Sequence, residues 1–349
     1  MKKLLCSLLV IALALPSLAL ADGVVNVFNW EDYIDEAVLQ LFEEETGIKV
    51  NYMCFTQNED MIVQVEANPG AFDLVFPSEY MVERMIRKGL LSEINLDNVP
   101  NFRYISEDLR NPSYDANNAH SVPYMWGTLG ILYNTTMVDE PVDSWSILFD
   151  EKYRDKYQDS IFMMDSLRDG IGLALRYLGY SLNTDNYMQL DAAAKLLIAQ
   201  KQSGVVKAYQ MDEIKDKMVA GEGALAVMYS GDAQYSIDLN EDLAYAIPRE
   251  GSNIWVDCMV IPATAKNKEN AEKLIDFLCR PDIAKMNCEY IWYSSPNTAA
   301  IELMGDEYTQ NTVMNPASED VAVCEYYHDL SESALVIWNT LWQQVKNAK

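Results

Sequence analysis

The sequence predicts an α/β protein with two lobes, each containing a mainly parallel sheet flanked by helices. From Val24 onward, short runs rich in β-branched and aromatic residues alternate with longer segments of helical periodicity. This alternation is typical of strand–helix–strand units, in which helices cover the faces of a parallel sheet. The chain has 349 residues, which is more than one hydrophobic core usually supports, so we expect two lobes.

Residues 1–21 have the order of a secretory signal peptide. Lys2 and Lys3 precede a short apolar run over residues 4–15, and Ala19-Leu20-Ala21 forms a small-residue cleavage site. The apolar run is too short for a membrane-spanning helix, which needs roughly 20 apolar residues. The residues before Cys6 make a poor lipidation sequence, so export as a soluble protein is favoured over a lipid anchor.

The chain is strongly acidic, with a formal net charge of -27 at pH 7. Because phosphate binding requires a basic surface, this charge argues against a nucleic-acid partner. Excess acidic charge is usually a solvated surface and does not by itself indicate a cationic ligand. Acidic residues become informative only where they lie beside aromatic residues.

The cysteines after residue 21 are odd in number and have no close C-x-x-C spacing. This argues against a disulfide framework and against a zinc site, although a single bridge remains open. Buried, unpaired cysteines behave as small apolar residues, and we expect this role for most of them. They are Cys54, Cys258, Cys279, Cys288 and Cys324.

The elements of the first lobe follow from local signals. An acidic helical segment that starts at Asp35 stops at Gly47, a residue that commonly ends helices. Ser78 precedes another helical segment and is a predicted N-cap, because serine side chains accept hydrogen bonds from free N–H groups at helix starts. The predicted elements are strands at 24–28, 48–53 and 72–76 and helices at 35–46, 61–67 and 79–88.

The segment 121–134 is longer than a typical strand. We interpret it as the part of the chain that leaves the first lobe and enters the second. Residues 253–262 form another long predicted strand that returns from there. The other predicted elements are strands at 161–164 and 224–229 and helices at 168–178, 187–201, 213–220, after Gly231, and at 268–279, 282–290 and 332–346.

Two short segments combine aromatic residues with carboxylates. Trp30-Glu31-Asp32-Tyr33 directly follows the first predicted strand, and Trp255-Val256-Asp257 recurs late in the chain. Aromatic faces attract ammonium groups and carboxylates fix their charge, so such pairs suit an organic cation. Residues two apart in an extended chain point to the same face. Single aromatics and acids more often pack or cap helices, and the recurrence favours a site.

Six motifs, taken in order, resemble the periplasmic polyamine-binding proteins of ABC importers, specifically the spermidine/putrescine branch. They span the chain after residue 21. The motifs are Phe28-Asn29-Trp30-Glu31-Asp32-Tyr33, Phe72-Asp73-Leu74-Val75-Phe76-Pro77-Ser78, Ser121-Val122-Pro123-Tyr124-Met125-Trp126-Gly127, Ile254-Trp255-Val256-Asp257, Ile261-Pro262-Ala263-Thr264-Ala265-Lys266-Asn267-Lys268 and Tyr293-Ser294-Ser295-Pro296-Asn297.

The resemblance implies the two-lobe periplasmic binding protein fold of type II, with the ligand in the cleft at the hinge. Lobe 1 would comprise residues 22–131 and 258–303, and lobe 2 residues 132–257 and 304–349. It also implies a set of ligand-binding residues, with Asp257 holding a terminal ammonium and Asp169 the opposite end. The set is Trp30, Asp32, Tyr33, Ser78, Tyr80, Ser166, Asp169, Tyr229, Asp232, Trp255, Asp257, Tyr293 and His328.

The implied ligand preference is divided between putrescine and spermidine. Ser166 stands where spermidine-preferring members carry an aspartate. Asp32 and Asp232 are instead similar to the putrescine-preferring branch, while His328 falls where a glutamine assists spermidine binders. Either polyamine therefore remains open.

The resemblance implies an extracytoplasmic substrate-binding protein that captures polyamines and delivers them to an ABC importer. Its expected partners are the polyamine and the ABC permease, and we expect a periplasmic monomer without cofactor, metal or nucleic acid. No G-x-S-x-G, HExxH or Cys-His arrangement indicates an enzyme. Two alternatives stay open. One is a polyamine sensor that docks on a membrane receptor. The other is a binder of the same fold for another small solute or for ferric iron, for which Tyr326-Tyr327-His328 would supply the ligands.

Overall fold

The structure is a computed structural model that describes residues 23–349. The predicted signal peptide therefore lies outside the described residues. Strands and helices alternate along the described chain, as the hydrophobic pattern predicts. The strands are β1 (Val24–Trp30), β2 (Lys49–Phe55), β3 (Leu74–Val75), β4 (Ser121–Asn134), β5 (Ile161–Met164), β6 (Val206–Gln210), β7 (Leu225–Tyr229), β8 (Leu243–Ala246) and β9 (Ile254–Val260).

The helices lie between the strands in the sequence, and the chain ends with six consecutive helices after the last strand. The helices are α1 (Glu36–Thr46), α2 (Asn58–Ala67), α3 (Glu79–Arg87), α4 (Ser146–Phe149), α5 (Leu167–Tyr177), α6 (Tyr187–Gln202), α7 (Glu213–Val219), α8 (Ser230–Leu239), α9 (Lys268–Leu278), α10 (Pro281–Ile291), α11 (Thr298–Met304), α12 (Asp306–Thr309), α13 (Ser318–Ala322) and α14 (Glu332–Asn347).

The strands form one curled, mixed sheet in the order β2-β1-β3-β9-β4-β7-β5-β6, with β8 also paired to β4. Strands β1, β2 and β3 pair in parallel at one end, and β5, β6 and β7 pair in parallel at the other. The central pairs that involve β4 and β9 are antiparallel. We call the part around β1–β3 the first half and the part around β5–β7 the second half.

Strands β4 and β9 connect the two halves. The first residues of β4 pair with β9, from Ser121 opposite Val260 to Thr128 opposite Ile254, and its last residues pair with β7 and β8. The register shifts at Pro123, where proline has no N–H to donate to a neighbouring strand. The long segment predicted to pass between the lobes is one continuous strand of 14 residues.

Capping residues in the sequence correctly predict both ends of α1. Asp35 caps α1 by accepting a hydrogen bond from the backbone N–H of Ala37 at 2.9 Å. Gly47 ends the same helix with a φ of 72°, a left-handed conformation that glycine adopts without steric cost. Ser78 occupies the N-cap position of α3, but its hydroxyl makes no capping bond. That hydroxyl is used by the site described below.

Strands β6 and β8 were not predicted from the sequence. Both are short and only half-buried, so their apolar pattern is weak. Each pairs with a longer strand: β6 with β5, and β8 with β4. Their backbone hydrogen bonds to these neighbours, rather than their own side chains, define them as strands.

Buried apolar side chains of the described residues form three clusters. Two belong to the first half: one includes Val25, Phe42 and Ile275, and the other includes Met61, Met81 and Val260. The third belongs to the second half and includes Trp145 and Trp338. Each half therefore has its own core, as the chain length predicts, and the residue boundaries between the lobes stay a prediction.

Between residues 23 and 349, no helix is both long and apolar enough to cross a membrane. Each cysteine in that range is a free thiol: Cys258, Cys279 and Cys288 are buried, Cys324 is partly buried and Cys54 is exposed. The single disulfide that the odd count left open is therefore not formed in this structure.

Candidate functional site

Asp257 is the centre of the candidate site. It lies in β9 with 6% of its surface exposed. Its Oδ1 accepts a hydrogen bond of 2.6 Å from the Ser78 hydroxyl, and Ser78 in turn accepts one of 3.0 Å from Asn58 Nδ2. Ser78 directly precedes α3 and forms a β-bridge with Asp257. Its hydroxyl thus holds the carboxylate instead of capping the helix.

The surroundings of Asp257 make its charge costly. Burial raises the pKa of Asp257 to about 6, although the hydroxyls of Ser78 and Tyr33 oppose the rise. The Tyr33 hydroxyl lies close enough for burial and Asp257 together to raise its own pKa. The Tyr33 oxygen is buried near Asp257 but makes no hydrogen bond of normal geometry with the described residues. The Asp257 carboxylate and the Tyr33 hydroxyl therefore lie close together, and one further polar or cationic group would satisfy both.

Trp255, two residues before Asp257, carries an aromatic cluster. The Tyr293 ring meets the Trp255 ring edge to face, with centroids 4.9 Å apart, and the Tyr229 ring does so at 6.0 Å. Tyr293 packs on the core of the first half and Tyr229 on that of the second, whereas Trp255 belongs to neither. We call Trp255, Tyr229 and Tyr293 the aromatic cluster, and it lies where the two halves meet.

Two glycines allow the aromatic rings to lie against the backbone. A Cβ atom at Gly127, opposite Trp255 in the β4–β9 pairing, would be 2.6 Å from the Trp255 ring. A Cβ atom at Gly231 would be 2.3 Å from the Tyr293 ring. Real Cβ atoms do not approach so closely, so these positions require glycine for steric reasons. The positions of the rings are thus encoded by small residues as well as by the aromatics.

Asp169 is the second buried acid of the site. It lies in the first turn of α5 with 3% exposure. Its Oδ2 accepts hydrogen bonds from the Ser166 hydroxyl and, at 2.8 Å, from Tyr229, and its Oδ1 accepts one of 3.0 Å from Tyr327. Burial and Asp169 together raise the pKa values of both tyrosines. These phenols stay protonated at neutral pH and serve as donors.

Asp232 is the third acid, and it differs from the other two. Its Oδ1 lies 3.2 Å from the ammonium of Lys215, and its Oδ2 accepts a hydrogen bond of 3.0 Å from Tyr293. Burial raises the pKa of Asp232, and Lys215 opposes the rise. The Tyr293–Asp232 hydrogen bond connects the two halves. Asp232 therefore already has a cationic partner within the protein.

Trp30 and Tyr80 lie in the first half. The Trp30 indole N–H donates to the Phe76 carbonyl at 2.8 Å, and its ring packs on Phe55 with centroids 4.5 Å apart. The Tyr80 hydroxyl accepts a hydrogen bond of 3.1 Å from Asn58, the same amide that binds Ser78. Tyr80 is thereby linked to Asp257 through two side chains, while Trp30 is fixed by packing.

Asp32 and His328 lie on exposed parts of the chain. Asp32 has a φ of 51° within a turn, so the extended alternation that would orient it with Trp30 stops after β1. Burial raises the pKa values of Tyr52 and Cys54, at the β2 side of the sheet, and the charge of Asp32 adds a smaller rise. His328 Nδ1 lies 3.5 Å from Glu83. The roles predicted for these two residues stay predictions.

Sequence reasoning missed Glu79 and Tyr327 as parts of this site. Glu79 has no exposed surface, and its carboxyl accepts hydrogen bonds from the backbone N–H groups of Val256 and Tyr327. Burial raises the pKa of Glu79 to about 8, so it is mostly uncharged at neutral pH. An acid in the first turn of a helix ordinarily indicates a dipole interaction, and no signal in the sequence distinguishes Glu79 from that case.

Arg168 is half-buried near the site, where the field of Asp169 favours its charge, but among residues 23–349 it makes no ion pair with the acids of the site. Its guanidinium carbon lies 4.2 Å from the centre of the Tyr327 ring, and it donates hydrogen bonds to the His328 carbonyl and to Asn183. Between residues 23 and 349, no Lys, Arg or His nitrogen lies within 4.0 Å of Asp257 or Asp169. Two buried carboxylates beside an aromatic cluster, with no cationic partner among residues 23–349, are the kind of surroundings that suit an organic cation.

The bacterial extracellular solute-binding protein family matches residues 37–316. The chain belongs to this family. Members bind a solute outside the cytoplasm, which fits a site lying between two halves of one sheet.

Relatives of this solute-binding protein cover nearly all of its length. A spermidine/putrescine-binding periplasmic protein of Escherichia coli is 36% identical over 327 residues, or 93% of this chain and 92% of that one. A putrescine-binding periplasmic protein of Pseudomonas aeruginosa is 30% identical over 343 residues, or 94% and 93%. The resemblance drawn from the motifs is therefore confirmed.

A solved structure gives the same result for the fold. The spermidine/putrescine ABC transporter substrate-binding protein of Streptococcus pneumoniae superimposes with a TM-score of 0.84 at 37% identity, covering 93% of this chain and 98% of that one. The solute-binding protein thus has the two-lobe α/β fold that the sequence predicts. Its first and second halves correspond to two lobes that share the sheet through β4 and β9.

Proposed function

We propose that the protein binds a polyamine outside the cytoplasm and delivers it to an ABC importer. The observation that carries this proposal is the pair of buried carboxylates, Asp257 and Asp169, which have no cationic partner among the described residues. Leaving buried acids unpaired is costly unless a ligand supplies the charge. The names of the relatives in E. coli, P. aeruginosa and S. pneumoniae support a polyamine as that ligand.

In this proposal, one ammonium of the ligand binds Asp257 and the other binds Asp169. The methylene chain between them lies along the aromatic cluster, with Tyr33 beside the Asp257 end. The Tyr33 hydroxyl and the Trp255 indole nitrogen, which are buried with no hydrogen-bond partner between residues 23 and 349, face polar groups or water in the complex. Contact of an ammonium with an aromatic face contributes about 0.5 to 2 kcal/mol, depending on desolvation. The carboxylates therefore contribute most to affinity.

Ligand titration tests this function directly. Purified mature protein is titrated by calorimetry with putrescine, cadaverine, spermidine and spermine, with lysine, glucose and ferric citrate as controls. We expect a polyamine to bind in a one-to-one ratio and to raise the thermal midpoint, because a ligand that binds only the folded state stabilises it. Binding of a control compound, with no response to any polyamine, would reject the proposed function.

Polyamine affinity should fall as the pH is lowered through 6. Because burial raises the pKa of Asp257 to about 6 and an ammonium binds its ionised form, ligand binding favours loss of the proton. At about pH 5 roughly a tenth of this carboxyl is ionised, which predicts about tenfold weaker binding than at about pH 7.5. The amines titrate near pH 10 and keep their charge, in about the same way as lysine.

Calorimetry at several pH values measures this effect. The matched control is Asp257→Asn, which has no proton to lose at this position, so its residual affinity should vary less with pH. Equal affinities of the unmodified protein at about pH 5 and about pH 7.5 would show that Asp257 does not bind the ammonium.

Export and docking complete the proposal. The sequence pattern of residues 1–21 directs the chain to the periplasm, where the relatives in E. coli and P. aeruginosa are located by name. The ligand-loaded protein, a monomer, then docks on the membrane permease. Pull-down from membranes of the source organism, with and without polyamine, and identification of the captured subunits measure this step. Capture of a signalling receptor instead would favour the sensor alternative.

A further inference from the structure

Lys215 forms an ion pair with Asp232, the third acid of the site. It lies in α7, and its ammonium is 3.2 Å from Asp232 Oδ1. The ammonium also lies 5.8 Å from the centre of the Tyr235 ring. Asp232 in turn accepts the Tyr293 hydroxyl, and Tyr293 belongs to the aromatic cluster. The Lys215 ammonium therefore pairs with the Asp232 carboxylate, which lies at the border of the proposed ligand site.

The three acids of the site are thus not equivalent. Among residues 23–349, the side-chain donors to Asp257 and Asp169 are neutral: Ser78 for the first, and Ser166, Tyr229 and Tyr327 for the second. Asp232 is paired with Lys215. A ligand with two ammonium groups can neutralise the two unpaired acids, whereas a third ammonium meets an acid that is already neutralised.

We propose that Lys215 is a specificity-determining residue that makes the site select a diamine over a triamine. This inference rests on the proposed function. Its ammonium supplies, from within the chain, the positive charge that a third amine of the ligand would otherwise bring. A triamine must either displace Lys215 or bury an ammonium without a carboxylate, and both are unfavourable.

Titration of a small set of variants with putrescine and spermidine tests this role. We expect the unmodified protein to bind putrescine more tightly. Lys215→Met keeps the length of the side chain but frees Asp232, so it should shift the ratio of the two dissociation constants toward spermidine by about tenfold or more. Lys217→Met, on the same helix, removes an equal charge from a lysine that binds Gln210, and it should leave the ratio unchanged.

A double variant separates the pair from other effects. Lys215→Met with Asp232→Asn removes the freed acid again, so the preference for putrescine should return. Should Lys215→Met fail to fold, Lys215→Gln provides the same loss of charge with a polar group beside Asp232. Three results would overturn the inference. The ratio of the two dissociation constants could stay unchanged in Lys215→Met and Lys215→Gln, or the shift could persist in the double variant. The third is a preference of the unmodified protein for spermidine. Absence of any polyamine binding would instead reject the proposed function.

Discussion

Replacement of Asp257 by asparagine should reduce polyamine affinity by about a hundredfold to a few thousandfold, the effect of roughly 3 to 5 kcal/mol that accompanies loss of one partner from a buried charge pair. The asparagine Oδ1 can still accept the hydrogen bond from Ser78, so the local geometry is kept while the charge is lost. Calorimetric titration with the preferred polyamine measures the change.

The same substitution should act in the opposite direction on the ligand-free protein. Asp257 is buried, with no Lys, Arg or His nitrogen within 4.0 Å in the part of the chain that the structure describes. Burial raises its pKa to about 6, so the folded state disfavours its charge. Above this pH, the neutral amide should therefore raise the thermal midpoint of the free protein. Asp97→Asn, at an exposed acid, is the matched control and should change neither quantity. Unchanged affinity in Asp257→Asn would remove this residue from the ligand site.

Much of the fold could be predicted because it depends on local signals. Asp35 and Gly47 mark the ends of α1 through capping and a left-handed backbone, and both features depend only on residue type. The periodic apolar pattern located the helices α5, α6 and α14 to within about two residues, the usual uncertainty of helix ends. Such signals act over a few residues and do not require knowledge of the tertiary structure.

The pairing of strands could not be obtained in the same way. The alternation of strands and helices predicts parallel pairs, and these occur at both ends of the sheet. The antiparallel centre exists because β4 and β9 run between the lobes in opposite directions. That direction depends on where distant segments meet, which hydrophobic periodicity does not record.

The candidate site was predictable where its geometry follows from one strand. Trp255 and Asp257 share a face of β9 because residues two apart in a strand do so. The same reasoning does not extend to Asp32, since a positive φ at that residue ends the extended conformation after Trp30. Lys215 and Glu79 resemble solvated helical residues in the sequence. Their roles arise only from tertiary contacts with Asp232 and with the backbone of Val256.

Replacement of Trp255 by alanine should weaken polyamine binding by roughly thirtyfold or more, corresponding to about 2 kcal/mol. The indole provides the aromatic face of the site and also holds the Tyr293 and Tyr229 rings through edge-to-face contacts. Its removal leaves space beside Gly127, whose lack of a Cβ atom accommodates the indole. Trp255→Phe restores part of the aromatic face and should lose less affinity. Calorimetric titration of both variants measures the series.

Loss of folding stability must be distinguished from loss of binding, because truncation of a buried tryptophan destabilises proteins by about 3 to 5 kcal/mol. Trp145→Phe provides the matched control. Trp145 is fully buried in the core of the second half, where its indole N–H donates to the Gly251 carbonyl. This variant should have a lower thermal midpoint but the same polyamine affinity as the unmodified protein. If Trp255→Phe and Trp145→Phe reduced affinity equally, the effect would arise from general destabilisation, and the aromatic cluster would have no specific part in binding.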